Sequence, residues 1–155
     1  SPSLKDTAFG VDPATGLVNP QLLADLNADQ RVRAFFVEAG TVITVGQWVT
    51  IDTVTNTFGL GNSVAPLDSG APITNLAVGV ALDGATPVAG DSIWIRVVTR
   101  GVTTADCAAG TATGDLLFPS AAAGVAATAG APPFIGYALE TIVGAAPITC
   151  YVTCE

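Results

Sequence analysis

From Arg31 onward, apolar and polar positions alternate with a period close to two. RVRAFFVEAG (31–40) is β-branched and aromatic, and TVITVGQWVTIDT (41–53) breaks at Gly46 into two short strands. ITNLAVGVAL (73–82), SIWIRVVTRG (92–101), DLLF (115–118), FIGYALE (134–140) and ITCYVTC (148–154) follow. The gaps are rich in Gly, Pro, Asn, Asp, Thr or Ala, the punctuation of an all-β domain. In the last run Ile148, Cys150, Val152 and Cys154 face one way, and Thr149, Tyr151 and Thr153 the other. That alternation predicts one buried face and one wet or interfacial face.

Ahead of Arg31 the pattern differs. Residues 1–18 lack periodicity and carry Pro2, Gly10, Pro13 and Gly16, which predicts an extended arm. Its apolar anchors are Leu4, Phe9, Val11 and Leu17. Asn19-Pro20 is a helix-start signal, with Asn as N-cap and Pro at the first helical position. Leu22, Leu23 and Leu26 then form one apolar stripe, predicting a short helix over 20–30 at the head of a single β domain spanning 19–155.

Two local patterns recur. VGQWV (45–49), AGDSI (89–93) and TGDLL (113–117) each place Gly and a polar residue just before a strand. Gly supplies a positive φ without steric cost, and a short polar side chain can cap the turn. The larger pattern, GVALDGATPVAGDSIWIRVVTRG (79–101), returns in shorter form as GYALETIVGAAPITCYVTCE (136–155). Both read as strand, turn, strand, and the two copies are expected to pair in one sheet. The prediction is a small barrel or sandwich of short strands.

A chain of 155 residues is one domain by length. Only 12% of its residues are charged, so part of the exterior is expected to be covered by another protein. Thirteen acids against five bases leave a net charge of −8, which disfavours nucleic acid and anionic membranes as partners. Cys107, Cys150 and Cys154 fit no zinc pattern and are expected to be reduced, the last two on the core face of the final strand.

Candidate chemistry is sparse. Histidine is absent, which removes the usual general base and zinc ligand, and neither a P-loop nor a GxSxG elbow occurs. FGLGNS (58–63) is a loop rather than a phosphate site, since no helix pattern follows it. Asp83 with Asp91, or Asp106 with Asp115, would be carboxylate pairs for acid–base work, but all four sit at turn positions where Asp serves the backbone. No enzymatic turnover, cofactor or metal is expected. Trp48 and Trp94 each follow a turn at the start of a strand and are expected in core or sheet-face packing, with a sugar platform or an interface anchor as the alternative. By strict alternation Trp94, Arg96 and Arg100 share a strand face with Val98, a possible docking element for an acidic partner.

The anchored arm, the AGD and TGD turns, the block GVALDGATPVAGDSIWIRVVTRGVTT (79–104) and the closing GYALE…ITCYVT together resemble phage capsid decoration (cement) proteins of the β-tulip and lambda-like head decoration type. The resemblance implies a β-tulip-like fold and a late-adding virion protein, made in the host bacterial cytoplasm and placed on the outer capsid surface. It further implies a homo-oligomer, with a trimer favoured, that binds the major capsid protein and stabilises the expanded shell. Leu4, Phe9, Val11 and Leu17 are then the expected capsid contacts. Two rival readings are a carbohydrate- or receptor-binding module of a phage fibre or cell surface, using Trp48 or Trp94, and a histidine-free hydrolase using the Asp pairs.

Overall fold

The computed structural model describes residues 30–54, 61–68, 77–130 and 133–154. This part is all-β, the class that the alternation predicts. Its strands are β1 (Arg31–Glu38), β2 (Trp48–Ile51), β3 (Val64–Pro66), β4 (Ala77–Ala81), β5 (Ser92–Cys107), β6 (Leu116–Pro119), β7 (Ala126–Ala127), β8 (Gly136–Ala138) and β9 (Ala146–Thr153). The arm over 1–18 and the helix expected over 20–30 lie outside the described residues, except for Gln30, which belongs to neither helix nor strand.

The turns are fixed by residues close together in the chain. In each predicted Gly-polar turn the polar residue donates its amide three residues back: Gln47 to Thr44 at 3.2 Å, Asp91 to Val88 at 2.9 Å, Asp115 to Ala112 at 3.0 Å. The glycine between them has φ near +90° in all three, a conformation that side chains with a Cβ avoid. In two of the turns the polar side chain also closes the ring from the other direction, accepting the amide of Thr44 (Gln47 Oε1, 3.0 Å) or of Ala112 (Asp115 Oδ2, 2.9 Å).

The sequence repeat is a structural repeat. β4 pairs with β5 at Ala81↔Val97, and β8 with β9 at Ala138↔Cys150, both antiparallel. Beyond each pair the same bonds recur. The Leu82 amide donates to the Arg96 carbonyl and the Leu139 amide to that of Thr149, at 2.8 and 2.9 Å. The acid that follows then accepts the partner strand's amide: Arg96 N to Asp83 at 2.9 Å, and Thr149 N to Glu140 at 2.8 Å. As expected, the copies pair, through an antiparallel ladder from Arg100↔Thr153 to Cys107↔Ala146.

That ladder is one wall of a closed barrel. β9 pairs with β8, β8 with β6 and β6 with β7, and β7 returns to β5 in parallel at Cys107↔Ala126. Closure leaves these five strands without a free edge. The first half of β5 belongs to a second group: β1 lies along one side of it, β4 along the other, with β2 and β3 beyond β4. β1 also bridges to Ser63 at Phe36, so the group curls on itself.

Two cores result. Leu117, Ala138, Ile148, Cys150 and Val152 fill the barrel, capped by Trp48, Val80 and Val98 from the second group. Phe35, Val37, Val49, Val64, Ile95 and Val97 are among the residues of the other. β5 therefore lines both, and its 16 residues exceed the 92–101 run read from sequence. Gly101 is not the end of the strand but a point inside it, where a Cβ would run into Gln30. β3 and β7, of three and two residues, were not foreseen because so short a segment carries no periodicity.

The end of the chain departs from expectation at Tyr151 and, in part, at Cys154. Ile148, Cys150 and Val152 are buried as read, and Cys154 is half-buried. Tyr151, assigned to the wet face, is only 7% exposed, its ring stacked on Tyr137 with centroids 5.1 Å apart. All three cysteines are free thiols, and Cys107 and Cys150 place their Sγ atoms 3.5 Å apart inside the barrel.

Candidate docking face

The two tryptophans look alike in sequence and part company in the fold. Trp48 is fully buried, and its Nε1 donates to the Asp106 carbonyl at 3.0 Å. It is a core residue and takes no part in surface binding. Trp94 is 58% exposed.

Trp94 sits where β1 crosses the start of β5. The register opposes Phe36 to Trp94 and Ala34 to Arg96, and Val32 continues the same side of β1 opposite Val98. Opposed residues in an antiparallel pair project on one face, so these side chains form a strip. The Phe36 and Trp94 rings touch at 3.7 Å between centroids, tilted by 36°. Val32 is 44% exposed, Ala34 is exposed and Phe36 is half-buried, so the β1 side of the strip is apolar and reaches solvent, while Val98 at its end turns into the core. Phe36 and Val32 escaped the sequence reading because alternation within 31–38 marks a strand but does not name its partner.

Arg96, opposite Ala34, lies within the strip as half of an ion pair. Its Nε and Nη2 reach the two oxygens of Asp83 at 3.0 and 2.8 Å, and its amide binds the same carboxylate. These bonds, the side-chain one foremost, hold the Asp83 carboxyl down to about 2. Asp83 is thus an ionised structural partner and not a proton-sharing carboxyl. Of the other acids in the candidate carboxylate pairs, Asp115 caps its turn, and burial beside Gly46 raises the pKa of Asp106.

Arg100 does not share this face. β1 and β5 lose register between Arg31 and Val32: Val32 opposes Val98, but Arg31 opposes Arg100, so Thr99 is an extra residue. Such a bulge reverses the alternation. Before it, Val98 points into the barrel core; after it, Ala105 and Cys107 do. Arg100 consequently projects from the opposite side to Trp94 and Arg96, and its Nε lies 3.5 Å from the Tyr151 hydroxyl. The expected triplet of Trp94, Arg96 and Arg100 is corrected to Trp94 and Arg96 with Phe36, Ala34 and Val32. The four anchors Leu4, Phe9, Val11 and Leu17 lie outside the described residues.

Among the described residues no group of three or more His, Cys, Asp or Glu is arranged to hold a metal ion. A cleft of about 200 Å³ lined by Asp106, Cys107, Val125 and Pro147 is smaller than ordinary small-molecule sites, which run from about 300 Å³ upward.

Among solved structures the fold is similar to the head fiber gp8.5 N base of bacteriophage phi29, with a TM-score of 0.57 and 14% identity. The match covers 81% of this chain and 97% of that one. At that identity the likeness establishes a shared fold. No protein-family model matches the sequence, and no curated protein matches it.

Proposed function

We propose that this chain is a structural virion protein of a phage, one that binds the outer surface of the capsid as a decoration protein and stabilises the expanded shell. The observation that carries the reading is the likeness to a head fiber N base, which extends over 97% of that chain. The exposed strip of Val32, Ala34, Phe36 and Trp94 supports it, because apolar side chains open to solvent on a sparsely charged chain suit a contact surface. The partner is the major capsid protein. Attachment has two parts, the arm with Leu4, Phe9, Val11 and Leu17 and the strip around Trp94. Several arms of a homo-oligomer, a trimer in our reading, would turn weak single contacts into tight attachment through effective concentration. The role is one of binding, with no turnover, cofactor, nucleic acid or membrane.

Mass spectrometry of purified virions whose genome encodes the chain should find it at a fixed ratio to the major capsid protein. Protein lacking residues 1–18 should keep its β circular dichroism yet sediment far less with empty expanded capsids. Equal sedimentation would remove the arm from the mechanism, and absence from virions would end the reading. A second reading, a carbohydrate-binding fibre module, is favoured by the exposed Trp94–Phe36 pair as a stacking platform. Glycan-array binding that disappears in Trp94→Ala would support that alternative.

A further inference from the structure

The first half of the strand β1 has an edge that no described strand covers. One side of it is paired along its length to β5. On the other side, among the described residues, the segment leading into β3 meets the end of β1, where the Phe36 amide donates to Asn62 O and Ser63 Oγ donates to the Glu38 carboxylate, both at 2.8 Å. From Val32 to Phe35 no described strand lies alongside, while Val32, Arg33 and Ala34 are exposed. A bare edge is a template for another strand unless side chains discourage it.

The side chains around this edge select rather than discourage. On one face lies the apolar strip of Val32, Ala34, Phe36 and Trp94. On the other, Arg33 leans over the Phe35 ring at 5.2 Å, with Arg31 two residues away along the strand. In a chain with 13 acids and five bases, four of those bases fall on β1 and β5, at Arg31, Arg33, Arg96 and Arg100. A second copy of β1 would bring arginines against arginines, which is destabilising across a ladder.

We propose that β1 accepts an extended acidic strand from a partner protein along Val32–Phe35. The incoming strand alternates: acidic side chains at every second position lie beside Arg33, and the apolar ones between them lie over Val32 and against Phe36 and Trp94. Main-chain bonds supply affinity, and the two faces supply sequence preference. The proposal does not rest on the virion reading, since it holds or fails with a peptide in dilute solution.

The probe is an end-blocked peptide, Val-Glu-Val-Glu-Val-Glu-Val, titrated into the full chain at neutral pH. Emission of the exposed Trp94 should shift to the blue and saturate, against a constant background from buried Trp48. Amide chemical-shift changes should centre on Val32–Phe35. Affinity should fall about tenfold or more in Arg33→Glu, survive in Arg33→Lys, and weaken with added salt. The Lys-for-Glu peptide should not bind, nor should a Glu peptide methylated on alternate backbone nitrogens. Equal binding of the Lys peptide would overturn the charge preference. Equal binding of the methylated peptide would overturn strand addition, and absence of any saturable shift would overturn the proposal outright.

Discussion

Asp83 and Glu140 occupy matching places in the two repeats, and each accepts a strand amide from across its own hairpin. Asp83 also has the Arg96 guanidinium beside it, and its carboxyl is held down to about 2, chiefly by that side chain. A carboxyl depressed on folding adds stability that is present above its unfolded value, near 3.9, and is lost as pH falls toward 2. A carboxyl-resolved NMR titration should therefore find Asp83 with a midpoint near 2, rising toward the ordinary value in Arg96→Ala. The cysteines give a second expectation at this scale. Contact with Cys107, then burial, pushes the Cys150 thiol upward, and burial pushes Cys154 up to about 12. At pH 8 these thiols should stay protonated and react slowly with a disulfide reagent in the folded protein, and three thiols should count after denaturation. Cys150→Ser should cost about 1–3 kcal/mol by placing a hydroxyl in the barrel core, measured by denaturant unfolding.

At the scale of elements, the features legible in the sequence are those fixed within a few residues. The Gly-polar turns and the two hairpins of the repeat need only neighbours along the chain, and both appear as read. The pairing of β1 with β5 joins Phe36 to Trp94 across more than 50 positions, and no local pattern announces it. The bulge at Thr99 is silent for the same reason: a two-residue period runs unbroken through the letters of SIWIRVVTRG, and the extra residue shows only against a partner strand. That is why alternation alone puts Arg100 beside Trp94, on a face that the bulge takes it away from. Local context is likewise nearly the same for Trp48 and Trp94, and only the closing of the barrel separates a core residue from a surface one. Deleting Thr99 should remove the bulge and turn Ala105 and Cys107 out of the barrel core, abolishing cooperative thermal melting. Thr99→Ser, which keeps both the residue count and the hydroxyl, should melt within a few degrees of the parent.

For the molecule as a whole, two cores joined by one strand should behave as one cooperative unit. Trp48 comes from the second group yet packs in the barrel core with Ile135, Ala138 and Cys150, and Val98 does the same from β5 itself. Trp48→Ala should cost about 3–5 kcal/mol and lower a single transition, rather than splitting it into two. Trp emission and far-ultraviolet circular dichroism followed together would show whether the curves coincide. The long strand has a mechanical meaning as well. β5 runs about 50 Å, sharing its first half with β1 and its second with β9, and the two ladders overlap at Arg100. Carpenters call this a lap joint. A pull on β1 along the strand direction passes into β5 and out through β9 with both sets of hydrogen bonds loaded in shear, so that many must break at once instead of peeling one after another.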